Sequence, residues 1–259
     1  MSSTRFPNKV MLKIGQEEVL KFVIRQVEAS KLVKNIIIAT TNMPNDDKIV
    51  KFCKKNKIQC FRGSEKDVLD RYYQCAKTFA CDIIVRISAD SPFIDPDVID
   101  KTVETYLKNS YDYVSTNIEK RKNTWENSNC NFPQGNSVEI CSFDILEKIW
   151  KNAKKPSERE HVFPYLQFNS NKYKIKNFKN KEDFSYIRCT IDRPNDLKFV
   201  RKVYNYFPKG KKIIHINDIV KVIKKNPDLV KINGDIPFDE GYKKSLKEDK
   251  KVLKKTKIK

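Results

Sequence analysis

The order of its segments predicts an α/β fold, with a mostly parallel sheet that carries helices on both faces. Strand-like and helix-like segments alternate along the first half of the 259-residue chain. The clearest strand segments are short, apolar and β-branched, whereas the segments between them carry apolar residues at helical spacing. Repeated βα units of this length are typical of parallel sheets covered by helices.

The first half of the chain shows the alternation most clearly. Residues 35–40 (N-I-I-I-A-T) and 82–87 (D-I-I-V-R-I) are apolar runs of the kind found in strands covered on both faces. Pro96 stands where the first turn of a helix tolerates proline. In chain order, the pattern predicts a helix over 17–30, a strand over 35–40, a helix over 46–56, a strand over 59–61, a helix over 67–79, a strand over 82–87 and a helix over 96–107.

The second half of the chain is less regular. The pattern predicts a strand over 137–141, a helix over 143–152, a helix over 157–168 interrupted by Pro164, strands over 172–178 and 186–191, and helices over 195–206 and 217–225. Residues after Asp235 carry no convincing apolar stripe. We therefore expect one domain over residues 1–234, followed by a basic, frayed or disordered tail over residues 235–259.

Composition excludes several classes of protein. Hydrophobic residues make up 39% of the chain and aromatic residues 11%, which supplies a core and argues against wholesale disorder. No window approaches the ~18 uninterrupted apolar residues of a membrane span, and the N-terminus lacks the apolar region of a secretory signal. The seven cysteines are dispersed and form no C-x-x-C. We therefore expect a cytoplasmic protein with reduced thiols, without a zinc ribbon or a disulfide framework.

The charge is strongly basic but uneven. Lysine and arginine number 53 against 33 acidic residues, a net charge of +20. This balance favours polyanionic partners such as nucleic acids, anionic membrane surfaces or phosphorylated small molecules. Nine lysines fall within residues 243–259, and lysines outnumber arginines, although bidentate recognition of phosphates and bases prefers arginine. We interpret most of the charge as solvated surface and a basic tail, not as a specific nucleic-acid face.

Three loops contain residues suited to phosphate or metal chemistry. Residues 2–9 (S-S-T-R-F-P-N-K) place hydroxyls and two cations in one loop, which are the donors that a triphosphate needs. The same composition also fits an ordinary polar tail. Asp90 and Asp192 each follow a predicted strand, where ligands bind in such sheets, so the two aspartates could share a divalent cation. Each fits equally well as a helix cap.

Five blocks of sequence occur in an order that resembles one enzyme family. They are S-S-T-R-F-P-N-K at 2–9, F-R-G-S-E-K-D-V-L-D-R-Y at 61–72, V-R-I-S-A-D-S-P-F-I-D at 85–95, S-E-R-E-H-V at 157–162 and T-I-D-R-P-N-D-L at 190–197. Together they cover about residues 1–206 and resemble the SpsF-type cytidylyltransferases of spore-coat polysaccharide biosynthesis. These enzymes are related to those that make CMP-activated acidic sugars.

The resemblance implies a nucleotide-diphospho-sugar-transferase (GT-A-like) fold with a mixed, mostly parallel sheet. It also implies an enzyme that uses CTP and Mg²⁺ to activate a sugar, sugar acid or polyol phosphate for surface-glycan synthesis, with release of pyrophosphate, and a homodimer. The implied site residues are Arg5 and Lys9 on the triphosphate, with Ser3 and Thr4 in the same loop; Asp90 and Asp192 on the metal; Gly63, Ser64, Asp67 and Arg86 near the cytosine and ribose; and Glu139, Arg159 and His161 in the acceptor pocket.

Two departures from the family pattern affect these expectations. In the family, an apolar strand ending in Gln-Ala-Arg precedes the phosphate loop and lies at the centre of the sheet, whereas this sequence begins inside that loop. Because loss of a central strand leaves the backbone groups of its neighbours unpaired, we expect a truncated or misplaced start. Ser137 stands where an aspartate is expected, so the acceptor preference is expected to differ.

Three other functions compete with nucleotidyl transfer. A GT-A glycosyltransferase would need an acidic D-x-D at a strand end, and the local candidate is Asp95-Pro96-Asp97, whose proline suits the start of a helix better. A non-catalytic nucleotide-binding protein would result if the first strand is truly absent. Nucleic-acid binding through the basic tail would show a steep salt dependence.

Overall fold

A computed structural model describes residues 6–117, 130–237 and 240–256 of the chain. Within these ranges the strands are β1 (Lys13–Ile14), β2 (Glu17–Glu18), β3 (Ile37–Thr41), β4 (Gln59–Gly63), β5 (Ile83–Arg86), β6 (Tyr113–Ser115), β7 (Glu139–Ser142) and β8 (Ile175–Asn177). The helices are α1 (Val19–Glu28), α2 (Asp47–Lys55), α3 (Val68–Thr78), α4 (Pro96–Leu107), α5 (Phe143–Asn152), α6 (Pro156–His161), α7 (Pro164–Phe168), α8 (Pro194–Tyr204), α9 (Ile216–Lys225) and α10 (Glu240–Thr256). None of these helices is both long enough and apolar enough to span a membrane.

The strands form a small parallel pair and a larger mixed sheet. β3 runs parallel to β4, with Ile37 opposite Gln59 and Thr41 opposite Gly63. The larger sheet has the order β5-β7-β6-β8, and β1 and β2 form a separate antiparallel hairpin. In the larger sheet β7 runs antiparallel to both of its neighbours, whereas β6 and β8 are parallel. The predicted α/β class with a mixed sheet is confirmed, although the described pairings include more antiparallel ones than the βα pattern suggested.

An apolar cavity of about 650 Å³ separates β3 from β5. Both strands line it, together with residues of α1 and α4; its apolar lining includes Val23, Ile24, Ile36, Ile37, Ile38, Ile83, Val85, Ile87 and Val103. Among the described strands, β3 pairs only with β4, and β5 pairs only with β7. The edges beside the cavity therefore have no strand partner within the described ranges. The resemblance predicts a further strand at the centre of the sheet, for which these two edges are candidate neighbours.

The main hydrophobic core brings together the loops that follow β5 and precede α8. It combines apolar residues of α1, α4, α8 and α9, such as Phe22, Ile99, Phe199 and Ile219, all of them almost fully buried. Burial of one such side chain contributes about 1.5–3 kcal/mol. Ile191 belongs to the same core, and its backbone N–H donates to the carbonyl of Asp90 over 2.9 Å. The loop after β5 and the segment before α8 are therefore held side by side.

The structure changes the prediction for residues 186–191, which do not form a strand. Gln134 and Arg188 form one isolated parallel bridge there. The apolar residues Ile187, Cys189 and Ile191 are fully buried, so core packing, and not membership of a sheet, explains this apolar run. The predicted break in the helix over 157–168 is confirmed, because Val162 adopts a φ of 73° before Pro164 opens α7.

The structure also differs from the disordered tail predicted after Asp235, because residues 240–256 form α10. Tyr242, Ser245 and Asp249 form its buried face. The Asp249 carboxylate accepts hydrogen bonds from the Ser157 backbone N–H over 2.9 Å and from the Ser157 hydroxyl over 2.6 Å. Since this face is largely polar, apolar periodicity could not indicate the helix.

Candidate active site

The ammonium group of Lys9 lies between the carboxylates of Asp90 and Asp192. Its Nζ atom is 2.5 Å from Oδ2 of Asp90 and 2.8 Å from Oδ1 of Asp192. Burial lowers the pKa of Lys9, but the two carboxylates outweigh this effect and raise the pKa above its ordinary value. Lys9 is therefore charged at neutral pH. The two aspartates that the sequence expected to converge meet at one cationic atom.

Local structure places these three side chains. Asn8 has a φ of 59°, a left-handed conformation that asparagine tolerates, and it precedes the 3₁₀ turn Lys9–Met11. Asp90 lies in the loop after β5, and Asp192 lies just before α8, whose first residue is Pro194. The backbone hydrogen bond from Ile191 to Asp90 then fixes the spacing of the two loops.

Arg188 is a second cation of the site, and the sequence did not predict it. This side chain is 7% exposed, and its terminal nitrogens donate to Oδ2 of Asp192 and Oε1 of Gln134, each over 2.8 Å. Its Nε donates to Oδ1 of Asp196 over 2.8 Å. Burial lowers the pKa of Arg188, but Asp196 and Asp192 outweigh it and raise the pKa. Arg188 therefore fixes the orientation of Asp192. The sequence signal that could have revealed Arg188 is its charge inside the apolar run 186–191.

Two cavities meet at this ion-paired cluster. The first, which we call the Thr41 cavity, has a volume of about 350 Å³; its polar lining includes Lys9, Thr40, Thr41, Asp46, Glu65 and Arg71. The second, the His161 cavity, has a volume of about 260 Å³; its lining includes Asp90, Asp192, Gln134, Ser137, His161, Arg188, Glu240 and Tyr242. Lys9 faces one cavity and its two aspartates face the other. The cluster thus stands at the boundary between them.

The residues predicted near the cytosine and ribose organise the turn between β4 and α3. Gly63 ends β4, and the Ser64 hydroxyl accepts the Asp67 backbone N–H over 3.0 Å. Asp67 caps α3 by accepting the Asp70 backbone N–H over 2.9 Å, and its other oxygen accepts Nε of Arg159 over 2.9 Å. Arg159, predicted in the acceptor pocket, is therefore held at the turn predicted for the nucleotide.

Arg86 and Glu139 form an ion pair across β5 and β7, where they lie opposite each other in register. Glu139 is 8% exposed and also accepts the Tyr113 hydroxyl over 2.7 Å. Burial lowers the pKa of Arg86, but the Glu139 carboxylate outweighs it and raises the pKa. Glu139 does not line the His161 cavity. A buried carboxylate needs partners, and here the neighbouring strands supply them.

Of the residues predicted to contact the acceptor, His161 lines the cavity named after it. Its Nε2 atom is 3.1 Å from Oγ of Ser245, and its ring meets the ring of Tyr242 edge-on at 4.8 Å between centroids. Ser137, which departs from the family pattern, lines the same cavity. The predicted triphosphate residues Ser3, Thr4 and Arg5 lie outside the described residues.

The D-x-D segment of the competing hypothesis forms a helix cap. The Asp95 carboxylate accepts the Asp97 backbone N–H over 2.9 Å and the Ile216 backbone N–H over 2.7 Å. Asp95, Asp97 and His215 do bring three potential ligand atoms within 4.8 Å of one another. None of the three lines either of the two cavities within the described ranges. The proline between the aspartates opens α4, as the sequence predicted.

Two carboxylates and a lysine between two cavities, in loops at the edge of an α/β sheet, define the class of protein as an α/β protein with a ligand site at this edge. The comparison with known families specifies this class. A family model described as cytidylyltransferase matches residues 1–219. The chain belongs to the cytidylyltransferase family, and it is a nucleotidyltransferase.

Individual relatives support the same assignment. The chain is 39% identical, over 90% of its length and 91% of the relative, to an uncharacterised protein of Methanocaldococcus jannaschii. It is 26% identical, over 88% of its length and 92% of the relative, to the spore coat polysaccharide biosynthesis protein SpsF of Bacillus subtilis. The structure of a cytidylyltransferase from Leptospira borgpetersenii superposes with a TM-score of 0.80 at 35% identity, covering 89% of this chain and 92% of that one. The resemblance stated from the five blocks is confirmed.

Proposed function

We propose that the protein transfers a cytidylyl group from CTP to a sugar, sugar acid or polyol phosphate, for the synthesis of a surface glycan. Membership of the cytidylyltransferase family supports the donor. The similarity to a spore coat polysaccharide biosynthesis protein supports a glycan precursor as the product. The observation that carries the proposal is the Lys9 ammonium bound by Asp90 and Asp192 at the boundary of two cavities.

In the proposed reaction, an oxygen of the acceptor attacks the α-phosphorus of CTP in line with the leaving group. The new bond joins this oxygen to the α-phosphorus. The bond between the α-phosphorus and its bridging oxygen breaks, and pyrophosphate leaves with the electron pair. If the attacking group is a hydroxyl, its proton is lost to water or to a nearby base. Such transfers depend mainly on positioning and on neutralisation of charge.

The donor atoms at Asp90 and Asp192 fit Mg²⁺. Carboxylate oxygens are the ligands that this hard cation prefers, and here two of them converge on one cationic atom. We propose that these two aspartates hold the ion, which would neutralise charge on the phosphates. Arg188 would keep Asp192 in place through its 2.8 Å hydrogen bond.

The two cavities divide the substrates in this proposal. The Thr41 cavity would take the nucleoside, because it adjoins the turn after β4 and carries hydroxyl and guanidinium groups. The His161 cavity would take the acceptor on the other side of the aspartates. Lys9 would bind the phosphates between them, together with Arg5, Ser3 and Thr4 of the same loop.

The test is release of pyrophosphate from CTP, measured with a panel of sugar acids, sugar phosphates and polyol phosphates. Asp90→Asn and Asp192→Asn should each reduce turnover by about 10²–10³-fold while the far-UV circular dichroism spectrum is retained. Asp97→Asn is the matched control, because its side chain belongs to the helix-cap segment, and it should leave turnover unchanged.

Each alternative function gives a different result in this assay. Unchanged turnover in both Asp90→Asn and Asp192→Asn would refute the metal assignment. If the wild type consumes a nucleotide sugar and not CTP, and Asp97→Asn loses this activity, the result would support the glycosyltransferase. Calorimetric binding of CTP without pyrophosphate release from any acceptor would support a non-catalytic binding protein.

A further inference from the structure

The first turn of α10 forms part of the wall of the His161 cavity. Glu240, Gly241 and Tyr242 line this cavity together with Gln134 and Arg188, among its described lining residues. The family model ends at residue 219, so α10 lies outside the part of the chain that the model matches. The match to the family model therefore says nothing about this wall.

Polar contacts fix the first turn of α10 beside the predicted metal ligands. One terminal nitrogen of Arg193, the residue after Asp192, donates to both carboxylate oxygens of Glu240 over 2.7 and 2.8 Å. The Tyr242 side chain is 4% exposed and packs its ring against His161. The chain thus holds a carboxylate and an aromatic ring at defined positions in the cavity.

The second and third turns of α10 have a different role, because they bind α6 and do not line the cavity. Ser245 contacts His161 over 3.1 Å, and Asp249 accepts two hydrogen bonds from Ser157. Both side chains are buried. The contacts of α10 therefore separate along its length into an anchor and a cavity wall, so the two roles can be tested by different substitutions.

We propose that the first turn of α10 completes the acceptor site, and that Glu240 and Tyr242 select a polyhydroxylated acceptor. A carboxylate accepts hydrogen bonds from sugar hydroxyls and repels an anionic group. The hydroxyls of the acceptor would face Glu240, and its anionic group would point away from this wall. The part of Tyr242 that lines the cavity offers a small apolar surface for a C–H group of a sugar. This inference rests on the proposed function, because it names the residues that choose the acceptor of that reaction.

The test compares acceptor and CTP kinetics in Glu240→Gln and Tyr242→Leu, with 3-deoxy-manno-octulosonate, glucose 1-phosphate and ribitol 5-phosphate as probes. With the probe that the wild type uses best, Glu240→Gln should raise the KM of the acceptor by about tenfold or more, as for loss of one charge-assisted contact. Tyr242→Leu should also raise the KM of the acceptor, because it removes the ring contact. The KM of CTP should stay within about twofold of the wild-type value.

Two control variants separate recognition from folding. Asp249→Asn removes an anchor contact with Ser157 and should lower the melting temperature without changing the acceptor KM. Lys247→Ala changes an exposed side chain of the same helix and should change neither quantity. Unchanged acceptor KM in both Glu240→Gln and Tyr242→Leu would overturn the inference. So would an equal rise in the KM of CTP and acceptor.

Failure of the proposed function would be visible separately, as the absence of pyrophosphate with all three probes in the wild type. In that case hydrogen–deuterium exchange of residues 240–249 decides the inference about α10. Added protection by any probe at millimolar concentration, lost in Glu240→Gln, would support an acceptor wall. The absence of protection with every probe would overturn it.

Discussion

Replacement of Arg188 by methionine tests how the site is built. Methionine keeps most of the volume of the side chain but removes the guanidinium that joins Asp192, Asp196 and Gln134. The Asp196 carboxylate is fully buried, so the substitution leaves it without its cationic partner. We expect both a loss of stability and a loss of activity, since the same side chain holds Asp192 in place.

The size of the loss follows from the contacts that remain. Removal of one partner of a buried ion pair costs about 3–5 kcal/mol. Asp196 retains three N–H donors, from the backbone of Asp192 and Arg193 and from the side chain of Asn233, each at 2.9 Å. Since these donors still solvate the carboxylate, we expect the free energy of unfolding to fall by the lower end of this range, about 3 kcal/mol. With a urea m-value of about 3 kcal/mol/M, the unfolding midpoint should fall by about 1 M.

Equilibrium unfolding in urea, followed by circular dichroism, measures this change. Lys231→Met is the matched control, because its ion pair with Asp228 is exposed, and its midpoint should equal that of the wild type within error. A midpoint for Arg188→Met that matches the wild type would refute the reasoning.

Three further predictions follow from local geometry. Gly135→Ala should destabilise the protein by about 2 kcal/mol or more in thermal unfolding, because a Cβ atom there would lie 2.8 Å from the Thr190 nitrogen at a φ of 98°. Its control, Gly210→Ala, has a φ of 89° and no neighbour within 4 Å, so it should cost only about 1 kcal/mol. Equal losses of stability in the two variants would contradict this prediction. The hydrogen bond from Cys53 lowers the pKa of the Cys60 thiol and outweighs its burial. Iodoacetamide should therefore modify Cys60 before Cys53, with a rate that rises at a pH below the ordinary thiol range; mass spectrometry showing Cys53 modified first would disprove it. An apolar, strand-forming segment fused ahead of the loop 2–9 should fill the cavity between β3 and β5. It should therefore raise the melting temperature above that of a glycine–serine fusion of equal length. Equal melting temperatures of the two fusions would argue against a strand in that cavity.

The basic composition of the chain has a structural counterpart in α10. Its lysines at 243, 244, 247 and 250 are exposed, whereas Asp249, one of its three acidic residues, is buried against α6. The helix thus presents these lysines to solvent and uses the Asp249 carboxylate for an internal contact. The basic surface predicted from the sequence is therefore carried by an ordered helix over residues 240–256.

Local sequence patterns predicted much of the fold and the centre of the site. The apolar runs at 35–40 and 82–87 became β3 and β5, and the helically spaced segments before, between and after them became α1 to α4 in the predicted order. Asp90 and Asp192 were found because each follows an apolar run that the pattern predicted as a strand, and ligands bind at the strand ends of such sheets. These features depend on residues close together in the chain, so the sequence by itself determined them.

Only the tertiary structure decided which distant polar groups are paired. It assigned Arg188 to Asp192 and Asp196, Arg159 to Asp67, and it brought α10 to the His161 cavity. Burial of a charge is costly unless a partner lies within hydrogen-bond distance, and that partner can come from any part of the chain. The apolar pattern shows which faces are buried, but the packing of the helices and strands determines which charges meet there.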